Sequence, residues 1–244
     1  MALIVNADDF GLNENVNAAV AKAFEEKLID RTTVMVNMPY AKEAMKIAED
    51  NGFSGRVGLH LNLTSGHPLT DRISHDRIMC GADGEFTADF ARNMKQRFFL
   101  PSDTEKAVEE EIRAQFDMYR DIGGTLWHID SHHHVHTDPS IWRILTGVFK
   151  DYPVTSVRLS RNMYRGGNPL VHLYKRMLNA SIRRFCVGNP VYFGSAIDYR
   201  GYFPDTGRAA SGCDVEVMVH PAFDAGGVLC DIYQEKHHKL TQLH

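Results

Sequence analysis

The sequence lacks the features that mark several large classes of protein. Its four cysteines, Cys80, Cys186, Cys213 and Cys230, are scattered and form no CxxC pair, so we expect reduced thiols and neither a disulfide framework nor a cysteine-based zinc site. No stretch approaches the roughly 20 apolar residues of a membrane span. The first residues contain no basic segment followed by a long apolar run, so no secretory signal peptide is predicted. Together these absences predict a cytoplasmic protein.

An excess of charge of either sign is missing as well. The 244 residues include 27 basic and 31 acidic side chains, a net charge of −4. This balance offers no basic surface for nucleic acid and no cationic surface for an anionic membrane, so neither partner is expected. The apolar fraction of 43% predicts a packed core, and the length suits one α/β domain of barrel size or two small ones. No linker marks a boundary, and we expect a single domain over residues 1–244.

Histidine, in contrast, is concentrated in one place. Five of the 13 histidines lie within the nine residues from His128 to His136. Imidazole is the commonest protein ligand of transition metals, and the run is internal and interrupted, so metal binding is a better interpretation than a solvated loop. His132 and His136 would share a face of a helix, whereas His132 and His134 would share a face of a strand. Asp130 could accept the spare N–H of a ligating ring.

The spacing of apolar residues predicts alternating strands and helices. Strands are predicted at 3–5, 32–36, 57–63, 126–130, 156–159, 190–193 and 215–219. Helices are predicted after an Asn13 cap, at 41–49, at 103–122 with Ser102 or Asp103 as the cap, at 140–149 and at 170–184, with a polar terminal helix around His237 and His238.

Alternating strands and helices require a parallel sheet, either open or closed into a barrel. About seven strands favour an α/β fold of the (β/α) barrel type with fewer than eight strands, and a doubly wound sheet is the alternative. The segment 65–101 shows little periodicity and is too long for an ordinary loop, so it is interpreted as an insertion that forms a lid or a dimer element.

Polar side chains collect at the predicted carboxyl ends of these strands, where parallel strands of a barrel place catalytic groups. Asp8 and Asp9 follow the first strand, and one carboxylate could bind a metal while the other takes a proton from a metal-bound water. His60 lies in an apolar strand, which alone favours a structural role. Its position beside two other clusters of metal-ligand type favours a ligand.

For two further side chains at strand ends, the sequence allows two roles each. His220 precedes Pro221 and could protonate a leaving group, or it could be an ordinary turn histidine. Arg158 could pair with a carboxylate of the site and hold it ionised, but a surface salt bridge is the favoured interpretation.

Four motifs, in order along the chain, together resemble the signatures of one family. They are Asn6-Ala-Asp-Asp-Phe-Gly11, His60-Leu-Asn-Leu-Thr64, Asp130-Ser-His-His-His-Val-His136 and Glu216-Val-Met-Val-His-Pro221. They resemble the YdjC-like carbohydrate deacetylases, which include chitooligosaccharide deacetylase. The resemblance implies a barrel related to the polysaccharide deacetylases and an enzyme that removes acetyl groups from N-acetylated sugars in carbohydrate catabolism.

The resemblance also implies roles for single residues. One divalent metal ion, most simply Mg²⁺ or Zn²⁺ with Mn²⁺ or Co²⁺ as alternatives, would be held by Asp9, His60 and His132. Asp8 would be the catalytic base and His220 the catalytic acid. The partners expected are a small N-acetylated sugar and a second copy of the chain in a homodimer. Family members continue beyond the segment 232–243 with another strand and helix, so a shortened form is expected.

Two other functions stay open from the sequence. A metal-dependent phosphoesterase can be built on the same barrel, and a dinuclear site that used His134 or His136 would favour it. A non-catalytic protein that binds metal and sugar would need no base, and Asp8 would then be dispensable.

Overall fold

The computed structural model describes residues 3–164, 166–185, 190–203, 214–232 and 238–243. Seven strands form one parallel sheet: β1 (Leu3–Phe10), β2 (Arg31–Val34), β3 (Val57–Leu61), β4 (His128–Ser131), β5 (Ser156–Val157), β6 (Tyr192–Ser195) and β7 (Val215–Val219). Their order in the sheet is β5-β4-β3-β2-β1-β7-β6, so neighbours follow one another along the chain and β1 lies between β2 and β7.

This cyclic order is the order of a barrel, with a seam between β5 and β6 that no pairing closes within the described ranges. The predicted barrel of about seven parallel strands is therefore confirmed. The doubly wound alternative is wrong, because such a sheet reverses its strand order at a switch point and this one does not. The carboxyl ends of all seven strands consequently meet on one face.

Helices alternate with the strands along the chain, and three short helices lie in the insertion. They are α1 (Glu14–Glu25), α2 (Ala41–Asp50), α3 (Asp71–Ser74), α4 (Asp89–Arg92), α5 (Met94–Phe98), α6 (Ser102–Asp121), α7 (Pro139–Val148), α8 (Pro169–Phe185) and α9 (Ala196–Tyr202), with 3-10 turns at Ser54–Arg56 and His132–Thr137. Among the described residues, no helix combines the length and the apolar composition that crossing a membrane requires.

Of the two long helices for which a cap was predicted, one has a side-chain cap and the other does not. The Asn13 side chain accepts a hydrogen bond from the backbone N–H of Val16 at 3.0 Å, as its position before an apolar face predicted. The helix predicted at 103–122 is present as α6, but its predicted cap, Ser102 or Asp103, was wrong. This helix begins at Ser102 itself, directly after Pro101, and no side chain caps it.

A small antiparallel sheet follows the barrel strands and was not predicted. It contains β8 (Pro221–Phe223), β9 (Leu229–Asp231) and β10 (His238–Lys239). The predicted polar terminal helix is therefore wrong at His238, and His237 lies outside the described residues. Strands of two or three residues are too short to leave a recognisable period in the sequence.

The insertion at 65–101 folds against the barrel through α3, α4 and α5. Arg97 on α5 pairs with Asp138 at 2.7 Å, directly before α7. Buried Glu111 on α6 accepts hydrogen bonds from the backbone N–H groups of Leu69 and Thr70, which fixes the start of the segment. The base of the insertion thus stays next to the end of β3.

Two of the four cysteines can be placed. Cys80 and Cys230 are buried free thiols, as the absence of a CxxC pair predicted. Cys186 and Cys213 lie outside the described residues.

Candidate metal and catalytic site

The site begins with an irregularity in β1. Neighbouring residues of a regular strand point to opposite faces, so Asp8 and Asp9 would be separated. Here Asp9 has a left-handed φ of 68°, and the pairing of β1 with β2 shifts register between Ala7 and Phe10. This bulge lets both carboxylates reach His60. Two adjacent acids therefore enter one site, and both are almost fully buried.

Three predicted metal ligands converge on one point. Asp9 Oδ1 lies 3.1 Å from His60 Nε2 and 2.8 Å from His132 Nδ1. One ligand atom from each residue lies within 4.8 Å of the others, and the three residues come from the ends of three strands. One carboxylate and two imidazoles form a donor set that Zn²⁺ and related divalent ions accept. The group could hold a metal ion.

Asp130 fixes the orientation of His60. Its Oδ1 lies 2.7 Å from His60 Nδ1, and its Oδ2 accepts a hydrogen bond from Thr33 Oγ1 at 3.0 Å. This turns His60 Nε2 toward Asp9, which is the arrangement by which a carboxylate orients a metal-binding histidine. Burial lowers the pKa of His60, but Asp130, Asp9 and Asp8 outweigh it and raise the pKa to about 10.

The histidine run is neither a regular helix nor a strand. His133 and His134 have left-handed φ values of 54° and 57°, so the chain reverses its hand between His132 and Val135. His136 is buried, and its two ring nitrogens lie 2.6 Å from Ser131 Oγ and 3.1 Å from the Arg158 carbonyl oxygen. His136 thus stabilises the turn, and neither of its ring nitrogens points toward Asp9, because both have other partners.

Arg158 occupies the centre of the barrel, and its interpretation as a surface residue was wrong. It is fully buried, with two hydrogen bonds to Asp8 of 2.6 and 2.7 Å. It also contacts Asp130 at 2.8 Å and Glu216 at 2.7 Å. A charge inside a barrel needs such partners, because desolvation is costly. Burial raises the pKa of Asp8, but Arg158 more than offsets this and holds it well below its usual value.

His220 lies beside Asp8, where β7 passes into β8. Its Nε2 is 3.8 Å from Asp8 Oδ2, and its Nδ1 is 3.8 Å from Asp231 Oδ1. The backbone N–H of His220 donates to the same Asp231 oxygen at 3.1 Å. Pro221 opens β8, so the predicted end of the strand is a junction between two sheets.

Asp231 was missed by the sequence analysis. It lies at the end of β9, in the sheet that no periodic pattern indicated, and only its contact with His220 reveals its place in the site.

A cavity of about 310 Å³ adjoins this group of side chains. His133 and His134 lie along one side, and Arg97, Arg161 and Lys175 are among the other lining residues. The insertion contributes Arg97 and Ala91 to the lining.

A sequence profile of the YdjC-like family matches residues 2–242. The chain belongs to the YdjC-like family. It is 31% identical over 222 residues to a carbohydrate deacetylase of Geobacillus stearothermophilus, with 90% of this chain and 79% of that protein covered. It is 38% identical over 156 residues to a carbohydrate deacetylase of Vibrio cholerae, with 63% of this chain covered. That match spans 57% of the Vibrio protein.

A solved structure shares the fold of this YdjC-like chain. It is the 1.70 Å crystal structure of a protein from Enterococcus faecalis V583 named as a candidate cellobiose-phosphate cleavage protein. The TM-score is 0.68, and the comparison covers 96% of this chain and 85% of the other. At 23% identity the likeness concerns the fold alone.

Proposed function

We propose that this YdjC-like protein is a metal-dependent hydrolase that removes the acetyl group from an N-acetylated sugar such as a chito-oligosaccharide. The observation that carries the proposal is the group of Asp9, His60 and His132 directly beside Asp8 and His220. Hydrolysis of an amide needs a Lewis acid, a base and an acid. These residues offer a group that could bind a metal ion, a carboxylate and an imidazole. The relatives named carbohydrate deacetylases support the sugar as the substrate.

The residues present fit a divalent metal ion. Asp9, His60 and His132 would hold it, because three mixed oxygen and nitrogen donors leave further positions open for water and substrate. When bound, such an ion polarises the acetyl carbonyl and acidifies a water molecule. Mg²⁺ and Zn²⁺ are the first choices, and Mn²⁺ and Co²⁺ also accept this donor set.

Asp8 would take the proton from the attacking water. Arg158 keeps its carboxylate ionised, but the same ion pair makes Asp8 a weak base that does not retain a proton. His220 Nε2, 3.8 Å from Asp8 Oδ2, is close enough to share the proton after a small movement. Asp8 and His220 therefore act in this proposal as a pair.

His220 would then protonate the amine nitrogen as the C–N bond breaks. Asp231 lies on the other side of its ring and also accepts the His220 backbone N–H. These contacts hold the imidazole toward Asp8. The His220 side chain is 16% exposed, so its ring is accessible to the leaving group.

The two alternative functions have less support. The other groups of metal-ligand type among the described residues contain Asp8, Asp130 or Glu216 and neither His134 nor His136, and Arg158 already pairs with all three carboxylates. This disfavours a dinuclear phosphoesterase. A protein that only binds sugar has no need of the buried pair of Asp8 and His220 beside a metal-type group, which disfavours the second alternative.

The proposal is tested by release of acetate from N,N′-diacetylchitobiose and from N-acetylglucosamine, each with Mg²⁺, Zn²⁺, Mn²⁺ and Co²⁺ added to metal-stripped protein. Release of acetate that occurs with at least one metal and stops when the metal is chelated supports the proposal. A complete lack of acetate release, together with hydrolysis of a phosphate ester, would support the phosphoesterase instead.

Metal content should depend on the three proposed ligands. We expect one ion per chain in the wild type, measured by mass spectrometry of the metal after dialysis. His60→Ala and His132→Ala should each lose most of it, because two remaining donors bind a divalent ion weakly. His75→Ala is the matched control, since His75 is exposed in the insertion and should keep full occupancy. Full occupancy in either ligand variant would remove that residue from the set.

Substrates with two different leaving groups can distinguish whether His220 protonates the leaving group or stabilises the oxyanion. An amine must be protonated to leave, whereas the alkoxide of an ester leaves more easily. His220→Ala should therefore lower kcat by about 10²-fold or more on an N-acetyl substrate and far less on the matched O-acetyl ester. Equal losses on both substrates would mean that His220 stabilises the transition state in another way.

Two expectations about the whole protein stay predictions. Light scattering after size-exclusion chromatography tests the homodimer, and fractionation of the source cells tests the cytoplasmic location.

A further inference from the structure

His134 differs from His132, His133 and His136, the histidines nearest to it in the chain. His132 contacts Asp9, His133 Nδ1 lies 3.1 Å from Thr64 Oγ1, and His136 uses both of its nitrogens within the fold. His134 Nδ1 is buried and has no hydrogen-bond partner among the residues that the structure describes. Buried polar groups are normally paired, so an unpaired one calls for an explanation.

The backbone conformation and its contacts hold this imidazole in position. The left-handed conformation of His133 and His134 is unfavourable for residues with a Cβ, and such conformations persist where surrounding contacts impose them. Thr137 Oγ1 donates to the His134 carbonyl oxygen at 2.8 Å and so holds the turn. The ring meets Phe193 edge to face, with 5.8 Å between centroids, and the Arg158 guanidinium also lies over Phe193 at 4.7 Å.

The held ring lines the cavity next to the proposed metal-binding group. His134 and His133 form part of its wall, and His132 is the adjacent residue in the chain. A cavity of about 310 Å³ is in the range of small-ligand pockets. A half-turn about the Cβ–Cγ bond exchanges Nδ1 with Cδ2 and Nε2 with Cε1, so the unpartnered nitrogen can lie on either edge of the ring without a change in the backbone.

We infer that His134 is a substrate-contacting residue, which hydrogen-bonds a hydroxyl of the sugar ring that carries the acetamido group. A hydroxyl both donates and accepts, so it matches either tautomer of a neutral imidazole. This contact would orient the amide toward Asp8 and His220. The inference rests on the proposed deacetylase function and deepens it, because it assigns the side of the site on which the sugar ring lies.

The test compares His134→Ala and His134→Gln with the wild type on N,N′-diacetylchitobiose. Loss of one hydrogen bond to the substrate should lower kcat/KM roughly 10- to 100-fold in His134→Ala. His134→Gln, which keeps a donor and an acceptor, should recover part of that loss. In an Asp8→Asn background, where turnover is slowed, titration calorimetry should show weaker binding of the same disaccharide when His134 is also replaced by Ala.

Three results would overturn the inference. They are unchanged kcat/KM in His134→Ala, loss of the metal ion from that variant, or equal losses in His134→Ala and His134→Gln that follow a fall in Tm. His75→Ala, an exposed histidine outside the cavity, should behave as the wild type. A wild type that releases no acetate from any N-acetylated sugar would refute the proposed function itself, and that result differs from an active wild type with an equally active His134→Ala.

Discussion

Asp8→Asn should keep the metal ion and lose turnover, with kcat lower by about 10²- to 10⁴-fold, the usual contribution of one positioned base. Asparagine has nearly the same shape as aspartate and can still accept one hydrogen bond from Arg158, but it cannot take a proton from water. The three proposed metal ligands are untouched. Steady-state kinetics with N,N′-diacetylchitobiose and metal content per chain are the two measurements.

The comparison with Asp9→Asn makes the assignment of the two acids testable. Asp9 contacts His60 and His132, whereas Asp8 is held by Arg158 and faces His220. Asp9→Asn should therefore lose metal as well as activity. If Asp8→Asn lost the metal and Asp9→Asn kept it, the two roles would be reversed. Asp71→Asn, an exposed aspartate of the insertion, is the matched control and should change neither quantity.

The sequence predicted the barrel because its signals are repeated. Seven apolar runs separated by helical patterns agree with one architecture, so an error of two or three residues at any one run does not matter. β1 shows the limit of this reasoning. Its apolar run ends at Val5, yet the strand continues to Phe10, because Asn6, Asp8 and Asp9 find polar partners inside the barrel.

The five predicted site residues come together in the structure, and the sequence could indicate this because each lies at or just past the carboxyl end of a strand of one parallel sheet. The contacts that orient them were harder to predict. The sequence named Asp130 as a partner for a ligating ring, but it could not show that the ring is that of His60. Asp231 reaches His220 from a three-residue strand, and the sequence offers no pattern for such a contact.

Arg158 shows why burial of a charge is difficult to predict. An arginine at the end of a short strand is most often exposed, and the favoured interpretation followed that tendency. In this protein Asp8, Asp130 and Glu216 come from three other strands, and only the cyclic order of the sheet brings them around one guanidinium. The information lies in long-range topology and not in the sequence near Arg158.

Replacing Arg158 by methionine should therefore have the largest effect on stability. Removal of one partner from a buried ion pair typically costs about 3–5 kcal/mol, and here three carboxylates would lose the same partner. Arg158→Lys should cost less, since it keeps the charge but loses the forked geometry that contacts Asp8 twice. Urea unfolding at pH 7 measures both. Arg120→Met is the control, because Arg120 is exposed and its ion pairs should contribute at most about 1 kcal/mol.

The pH dependence of the stability lost in Arg158→Met identifies the cause of that loss. Burial raises the pKa of Glu216, but Arg31 and Arg158 outweigh it and lower the pKa from 4.5 to about 2. In the wild type, this group contributes stability that is complete above pH 4.5 and is lost as the pH falls toward 2. Without Arg158 the buried carboxylates have raised pKa values and become neutral as the pH falls. The difference in free energy of unfolding between wild type and Arg158→Met should thus be largest near neutrality. It should shrink as the pH falls through the raised pKa values of the variant, and should go on shrinking toward pH 2, where Glu216 of the wild type is protonated as well. A difference that stayed constant with pH would mean that lost packing of the arginine side chain, and not unpaired charge, destabilises the variant.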